Sequence, residues 1–429
     1  MNEFKKPKIT VLIPTKDRVK YLIHTLNTCT SQDYENLEII VSDDGSIDDT
    51  KKIVYELSKS DKRLKYITPQ PLSGMLNNFE YALNQVFSGF VLMLGGDDGL
   101  MPGSIKKLAE IIEKNEAELI SWNTPIYSYP GTRTENGQLI VPFGNKQYEV
   151  DTSVYLKRQA QNLNYTGDKE SPMFYVKGLA SIKLINRVKA KSNNNMFYSC
   201  ATPDGFSGIV LAGEVKKFLY FDYPFTMHGL SPSSQGLSYL SNAQEAKKIS
   251  EEFFNESNNR PMHQNLGGEK YSPLITLMTA DYLLTAASLN KWQGEIPEIN
   301  YKTLIDKSIE ELCHGIYAKE RISRELYIIK NIAKFHGLES YFEKAIKKEF
   351  RYKSRRPIEG MAINTNSIFI DAKKFNINNI YEATIIAGTI NSIINNFSVK
   401  NAILIMVKSI NYKIKSLIKD KNEKLENYI

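Results

Sequence analysis

Cysteine is scarce in this chain of 429 residues, which contains only Cys29, Cys200 and Cys313. An odd number of widely spaced cysteines indicates neither a disulfide framework nor a zinc knuckle. Disulfide-free chains are typical of reducing compartments. We therefore expect the protein in the cytoplasm.

Long apolar runs are absent as well. No stretch of about 18 uncharged apolar residues occurs, which is the length that a membrane-spanning helix needs. The amino terminus, MNEFKKPKITVLIP, leads into a predicted strand without an apolar signal segment. These absences predict a chain that is neither exported by a signal peptide nor membrane-spanning.

Several nucleotide-binding signatures are missing. The loop after the first predicted strand, PTKDR (14–18), contains no glycine, which excludes the G-x-G-x-x-G turn of a Rossmann dehydrogenase. The chain has no G-x-x-x-x-G-K-[ST] phosphate loop, so a P-loop kinase is excluded too. The net charge of +7 is modest, and no aromatic-basic RNA-binding signature accompanies it. We therefore expect no nucleic-acid partner.

The first part of the chain alternates between short apolar runs and amphipathic helical patterns. Strands alternating with helices predict an α/β fold with a doubly wound, mostly parallel sheet. The predicted strands are 8–14, 37–41, 64–67 and 90–94, and the predicted helices are 19–32, 48–58, 76–87 and 102–115. A more irregular region is predicted to start at 117–122.

Composition divides the chain into three predicted parts. Residues 1–240 form the α/β domain, with a ligand-binding half over 1–116 and an irregular, Tyr- and Pro-rich half over 117–240 that suits a substrate-facing surface. Apolar residues then recur at helical spacing over 241–398, which predicts a helical region. Residues 399–429 form a basic amphipathic tail.

Two adjacent acids follow the predicted fourth strand, in VLMLGGDDGLMP (91–102). Ligands of open α/β sheets bind at the carboxyl ends of the strands, and the glycines before Asp97 and Asp98 allow a close backbone approach. The alternative is that these acids merely cap the helix that begins after Pro102.

A second acidic cluster follows the second strand, in VSDDGSIDDT (41–50). Asp43 and Asp44 precede a turn and a helix, so Asx-turn and capping chemistry explain part of this run without any function. That chemistry does not explain why two strands of one sheet both end in paired acids.

The ordered set VLIPTKDR, VSDDGSIDDT and LGGDDGLMP resembles the nucleotide-sugar-dependent glycosyltransferases of family 2, which have a GT-A fold. The resemblance covers about residues 8 to 235, and it is specific as a set although each piece alone is weak. It implies an enzyme that transfers a sugar from a nucleoside-diphosphate sugar donor.

The resemblance also implies roles for individual residues. Pro14, Thr15 and Arg18 lie where the family lines the nucleotide, and Asp44 resembles the acid that binds the base or the ribose. Asn78 lies in a segment where the family's polar groups approach the donor. The alternative for Asn78 is a place in a simple amphipathic helix.

Asp97 and Asp98 resemble the D-x-D region, whose acids hold a divalent cation, Mn²⁺ or Mg²⁺, and the donor sugar. Such a cation stabilises the charge of the departing nucleoside diphosphate, and carboxylates are matching hard ligands. We assign the cation chiefly to Asp98, and the donor sugar or the cation to Asp97. The family's first acid is replaced by Gly95.

Two further candidates lie later in the chain. Asp204, in CATPDGFSG, falls about where the family carries its catalytic base, and the alternative is a helix cap behind Pro203. His228 lies in a segment that often supplies another metal or pyrophosphate ligand in GT-A enzymes, although a single histidine is more often structural.

The resemblance therefore implies an inverting glycosyltransferase that acts on a glycan or lipid-linked acceptor in bacterial surface polysaccharide or lipopolysaccharide assembly. Because Gly95 replaces an acid, the alternative is a GT-A scaffold of a glycan-assembly complex that binds nucleotide with little turnover. Donor sugar, nucleotide and acceptor cannot be read from the sequence.

The tail carries an apolar stripe at three- and four-residue steps over 399–418, flanked by lysines. A basic amphipathic helix suits the surface of an anionic membrane, which would give the protein a peripheral position on the inner face of the cell membrane. The alternative is a helix packed on the helical region with solvated lysines.

Overall fold

The computed structural model describes residues 6–72, 74–234, 250–255, 260–314, 319–347, 351–354, 360–395 and 419–422. The strands in chain order are β1 (Ile9–Thr15), β2 (Leu37–Asp43), β3 (Leu64–Ile67), β4 (Phe90–Met93), β5 (Gly99–Leu100), β6 (Leu119–Trp122), β7 (Ile126–Ser128), β8 (Gln138–Pro142), β9 (Gln147–Asp151), β10 (Gly178–Ser181), β11 (Lys217–Phe221), β12 (Thr226–Leu230), β13 (Arg351–Ser354), β14 (Ala362–Ile363), β15 (Ser367–Asp371) and β16 (Lys419–Asn422).

The helices that the structure describes, with short 3₁₀ turns left aside, are α1 (Val19–Thr30), α2 (Thr50–Ser60), α3 (Met75–Leu83), α4 (Ser104–Asn115), α5 (Thr152–Asn162), α6 (Ile182–Lys189), α7 (Asp204–Ala212), α8 (Ile275–Ala287), α9 (Tyr301–His314), α10 (Lys319–Phe335), α11 (Glu339–Ile346) and α12 (Ile380–Asn395).

The main sheet has the strand order β3-β2-β1-β4-β10-β6-β11-β9. Its first four strands are parallel, whereas β10 runs antiparallel to both of its neighbours. Every residue of β1 is buried, as expected for a strand covered by helices on both faces. The predicted α/β fold with a doubly wound, mostly parallel sheet is confirmed, and each predicted strand and helix of the first 115 residues is present within a few positions. Strand β6 lies where an irregular region was predicted to start.

A second sheet has the order β14-β15-β8-β7-β12-β5. It joins the acid-bearing part of the chain to a distant segment, because β15 pairs with β8 from Ser367 opposite Pro142 to Asp371 opposite Gln138. The helical prediction for 241–398 did not include strands β13, β14 and β15. The segment SIFID has the alternation of a strand, with Ile368 and Ile370 buried.

Helix α12 also packs against the α/β part of the chain, where it contacts α1 and β5. Helices α8 to α11 form the predicted helical region, and α8 packs on α7. Within the described ranges, no helix is both long enough and apolar enough to cross a membrane. The predicted amphipathic helix over 399–418 lies outside the described residues.

Candidate active site

The loop that carries the two acids is fastened to helix α1. The Thr25 hydroxyl lies 3.0 Å from the carbonyl oxygen of Gly96 and 2.6 Å from that of Asp98. One turn later, the Thr28 hydroxyl accepts a 3.0 Å hydrogen bond from the amide of Leu100. Residues three apart lie on one face of a helix, so a single face of α1 fixes the loop on both sides of the acids.

Asp98 is fully buried, and both of its carboxylate oxygens are engaged by the protein. Oδ1 accepts a 2.8 Å hydrogen bond from the Gly229 amide, and Oδ2 accepts a 2.6 Å bond from the Gly95 amide. Burial, with the charge of Asp97 as a second cause, raises the pKa of Asp98 to about 8, while these donors and the Tyr175 hydroxyl oppose the rise. Asp98 thus links the end of β4 to β12.

Asp97 accepts hydrogen bonds from the described residues through one carboxylate oxygen only. Its Oδ2 accepts hydrogen bonds from the hydroxyls of Ser231 at 2.6 Å and Ser234 at 2.9 Å. Its Oδ1 lies 3.6 Å from Nη1 of Arg18, whose other nitrogen donates to the Ser233 carbonyl at 2.7 Å. Within the described part of the chain, Oδ1 accepts no hydrogen bond. It therefore keeps lone pairs for a cation or a ligand.

This difference bears on the metal assignment. Carboxylate oxygens are the hard ligands that Mg²⁺ and Mn²⁺ prefer, and Mg²⁺ commonly needs only one or two protein carboxylates beside substrate phosphates. Asp97 has one oxygen that accepts no hydrogen bond from the described residues, whereas both oxygens of Asp98 accept hydrogen bonds from backbone amides. The assignment of the cation chiefly to Asp98 stays a prediction, and the geometry favours Asp97.

The donor set fits a cation shared with a substrate and does not fit one held by protein alone. Among the described residues, no group of three or more His, Cys, Asp and Glu side chains could hold a metal ion. Asp97 Oδ1 and the ring of His228 remain as possible ligands, because neither accepts a hydrogen bond there. Phosphate oxygens of a nucleotide would have to complete the coordination.

Asp204 is the first residue of helix α7 and lies close to this centre. Its carboxyl group has no hydrogen-bond partner among the residues that the structure describes, and the helix cap is Pro203, without a side-chain bond. The predicted alternative, a capping role for Asp204, is therefore not what the structure shows. Burial raises the pKa of Asp204 to about 6; the charge of His228 opposes this rise and that of Asp98 adds to it.

His228 lies on β12, opposite Ile126 of β7. Burial lowers the pKa of its ring, although the charges of Asp97 and Asp204 act in the other direction. A neutral imidazole is the form that binds metals. His228 lies within electrostatic reach of Asp97 and of Asp204. The ligand role of His228 stays a prediction.

The residues predicted to line the nucleotide surround the ends of β1 and β2. Pro14 lies opposite Ser42 in the parallel pair, and the Asp44 amide donates a 3.0 Å bond to the Thr15 carbonyl. Asp44 is buried, and its carboxylate accepts a 3.0 Å bond from the Gly74 amide. The Thr15 hydroxyl is buried and has no hydrogen-bond partner in the described residues. Such an orphan hydroxyl suits a bound ligand.

Asn78 has a structural partner in Ser42. The amide nitrogen of Asn78 donates to the Ser42 carbonyl at 2.9 Å, and its amide oxygen accepts from the Ser42 hydroxyl at 2.6 Å. Asn78 therefore joins helix α3 to strand β2, and its donor contact stays a prediction.

Sequence reasoning missed the side chains that support the acids. Thr25 and Tyr175 carry no local signal, because their roles depend on elements distant in the sequence. Gly229 could have been noticed, since an isolated glycine within a strand often marks a close backbone approach. A Cβ there would lie 1.7 Å from the carbonyl oxygen of Asp97.

Residues 10–173, which contain the acid loop and its supports on α1, match the family described as Glycosyl transferase family 2. This segment is therefore similar to the domains of family 2 glycosyltransferases. The resemblance inferred from VLIPTKDR, VSDDGSIDDT and LGGDDGLMP is thereby confirmed, as is the GT-A fold class.

Curated glycosyltransferases are similar to part of the chain. The GalNAc(5)-diNAcBac-PP-undecaprenol beta-1,3-glucosyltransferase of Campylobacter jejuni is 34% identical over 152 residues, which cover 35% of this chain and 47% of that protein. Glycosyltransferase GlyA of Streptococcus pneumoniae is 31% identical over 116 residues, or 27% of this chain and 16% of that protein. The chain thus spans less than half the length of these relatives.

Solved structures of glycosyltransferases align with more of the chain at low identity. TarS of S. aureus, residues 1–349 in complex with UDP, is 16% identical with a TM-score of 0.41, and the alignment covers 82% of this chain and 97% of that one. The mannosyltransferase PcManGT of Pyrobaculum calidifontis, in complex with GDP-Man and Mn²⁺, is 11% identical with a TM-score of 0.37, over 92% and 89% of the two chains.

Proposed function

We propose that this protein is an inverting glycosyltransferase that uses Asp204 as its general base. The observation that carries the proposal is the placement of Asp204. Its carboxyl group is free of hydrogen bonds within the described residues and lies near Asp98 and His228. A pKa of about 6 suits a base that must accept a proton near neutral pH.

In the proposed reaction, Asp204 accepts the proton of an acceptor hydroxyl while the hydroxyl oxygen forms a bond to the anomeric carbon of the donor. The bond between that carbon and the diphosphate oxygen breaks in the same displacement, and the nucleoside diphosphate takes the electron pair. One base without a covalent nucleophile gives inversion. Arg18, beside Asp97, supports the developing phosphate charge.

A divalent cation, when bound, would supply further charge stabilisation to the leaving diphosphate. Asp97, with its available Oδ1, and His228 would hold it together with the donor phosphates. Thr15 and Asp44 would face the nucleoside, because the buried Thr15 hydroxyl has no partner among the described residues and Asp44 lies beside it.

The proposed acceptor is a glycan or a lipid-linked glycan of surface polysaccharide, capsule or lipopolysaccharide assembly. Support comes from the Campylobacter relative, whose name describes a lipid-diphosphate-linked acceptor. A lipid-linked acceptor would place the enzyme in the cytoplasm, peripherally on the inner face of the membrane. No nucleic-acid partner is proposed.

Anomeric configuration and donor turnover test the proposal. Purified protein with Mn²⁺ and a panel of nucleotide sugars should release nucleoside diphosphate, and NMR of the product should show inversion. Asp204→Asn should retain donor binding but lose turnover. Retention of configuration would contradict the single displacement. Nucleotide binding without release from any donor would favour the scaffold, which Gly95 in place of an acid still supports.

Membrane contact needs a separate test, because 399–418 lies outside the described residues. Flotation with anionic liposomes at low salt should carry the full chain upward, whereas a chain that ends at Ser398 should stay behind. Each lysine near an anionic surface contributes about 1 kcal/mol. Equal flotation of both chains would show that residues 399–429 do not contribute to membrane binding.

A further inference from the structure

The structure fills the place of the family's first acid with a tyrosine hydroxyl. A Cβ added to Gly95 would lie 2.4 Å from the Tyr175 hydroxyl, 2.9 Å from Asp98 Oδ2 and 3.1 Å from Asp97 Oδ1. Carbon and oxygen atoms in van der Waals contact lie well above 3 Å apart, so no side chain at position 95 fits beside this hydroxyl.

The backbone at position 95 does not itself require glycine. Gly95 is absent from the residues with positive φ among those described, so its conformation is open to any amino acid. What excludes a side chain at this position is therefore the Tyr175 hydroxyl together with the carboxylates of the two acids.

Tyr175 reaches this place through backbone pairing with the acid-bearing strand. The Val176 amide donates to the Met93 carbonyl at 2.8 Å, and the Met93 amide donates to the Phe174 carbonyl at 3.3 Å. The segment around Tyr175 thus runs beside the end of β4, and the tyrosine ring packs on Phe79 with 6.0 Å between ring centroids. This packing fixes the ring, so the hydroxyl has a defined position.

The Tyr175 hydroxyl lies in a buried setting close to several acids. Burial raises the pKa of Tyr175 well above its ordinary value, and the negative charges of Asp98, Asp97 and Asp204 raise it further, whereas Arg18 lowers it. A phenolic hydroxyl is a hydrogen-bond donor, and the Asp98 carboxyl group lies beside it at position 95.

We infer that Tyr175 is a positioning residue whose hydroxyl takes the place of a side chain at position 95 and holds the Asp98 carboxylate, so that Gly95 and Tyr175 form one coupled pair. The inference rests on the proposed function for its catalytic meaning. The consequence is a centre with two acids and one neutral donor where three acids would otherwise stand. Asp98 in turn holds Gly229 and the loop that presents Asp97.

A double-mutant cycle tests the coupling without any need for turnover. Gly95→Ala alone should lower the melting temperature, because its Cβ meets the Tyr175 hydroxyl. In the Tyr175→Phe background, which removes that hydroxyl, Gly95→Ala should lower the melting temperature clearly less. Additive shifts of the melting temperature would show that Gly95 and Tyr175 are not coupled, which would overturn the inference. If Tyr175→Phe does not fold, Tyr175→Leu serves in the same cycle, and additivity there would be equally decisive.

A second arm asks whether the pair acts on the site and not only on folding. Tyr175→Phe should retain its fold yet lose about 10- to 100-fold in kcat, with a smaller change in donor KM, as expected for one hydrogen bond to a carboxylate that positions the acid loop. Calorimetric titration with UDP and with GDP, each with and without Mn²⁺, gives a readout besides activity. The cation-dependent part of the nucleotide affinity should fall in Tyr175→Phe.

Tyr34→Phe is the matched control, because the Tyr34 hydroxyl donates a 2.7 Å bond to the Pro7 carbonyl away from the acids. It should shift the melting temperature but leave nucleotide affinity unchanged. Equal effects of Tyr34→Phe and Tyr175→Phe on nucleotide affinity would overturn the positioning role. If the wild type turns over no donor, the proposed function fails, whereas the melting and binding arms still decide the inference.

Discussion

The backbone of Gly229 lies directly against the backbone of Asp97. A Cβ at position 229 would lie 1.7 Å from the Asp97 carbonyl oxygen, and the Gly229 amide donates a 2.8 Å bond to Asp98. Strand β12 can therefore meet the acid loop only where it has no side chain. We expect Gly229→Ala to displace the loop, with loss of transfer by at least about 100-fold and a destabilisation of about 1 to 3 kcal/mol.

Gly388→Ala is the control for that change, because Gly388 lies on helix α12 and the nearest atom to an added Cβ is 3.7 Å away, at ordinary contact distance. Alanine is also favoured over glycine within a helix. Thermal melting and transfer assays of both variants check the prediction. A Gly229→Ala protein with wild-type melting and turnover would show that β12 does not hold the loop.

Replacement by asparagine should affect stability and nucleotide affinity differently at Asp97 and at Asp98. Each carboxylate oxygen of Asp98 accepts a hydrogen bond from a backbone amide. The NH₂ group of an asparagine cannot accept a hydrogen bond, so in Asp98→Asn one of these buried amides faces another donor. We expect Asp98→Asn to cost about 1 to 3 kcal/mol of stability as well as activity. Asp97→Asn should lose nucleotide affinity in Mn²⁺ at a smaller cost in stability, because Oδ1 accepts no hydrogen bond among the described residues.

Denaturant unfolding and nucleotide titration of the two variants make this comparison. The opposite result would assign the cation chiefly to Asp98. In that case Asp97→Asn would be the less stable protein and Asp98→Asn would bind nucleotide more weakly. Neither outcome depends on knowledge of the acceptor.

Local patterns predicted the fold where the interactions are local. Strand β1 and helix α1 are close in sequence, and the apolar periodicity of each is complete within its own segment. Strand β15 is different, because its five residues gain their structure from β8, more than 220 positions earlier by numbering. A short alternating segment inside a helical region gives too weak a signal to be assigned without that partner.

The same distinction explains what was predictable in the site. Asp97, Asp98 and Asp204 stand out because acids at strand ends and helix starts follow a recognisable order. Tyr175 does not, since its position depends on pairing with Met93 about 80 residues earlier. Gly95 was visible as a departure from the family pattern, but its cause lies in the tyrosine that faces it.

The three thiols should be unreactive in the folded protein. Cys29, Cys200 and Cys313 are buried and free of disulfides, and burial raises the pKa of Cys29 and of Cys313 to about 12. Burial also raises the pKa of Cys200 well above its ordinary value. Because the thiolate is the reactive form, alkylation at neutral pH should be slow until the chain unfolds. Mass spectrometry after iodoacetamide treatment, with and without denaturant, measures this. Rapid labelling of the native protein would contradict the burial of these side chains.

Catalysis should depend on pH through Asp204. Its raised pKa, about 6, means that the carboxyl group is largely protonated below that pH and ionised above it. A general base acts only when it is ionised, so kcat at saturating donor should rise as pH increases from about 5 to 7 and then level off. Asp204→Asn should lower kcat by roughly 10² to 10⁴ and abolish this limb of the profile. A limb that survives Asp204→Asn would assign the base to another group.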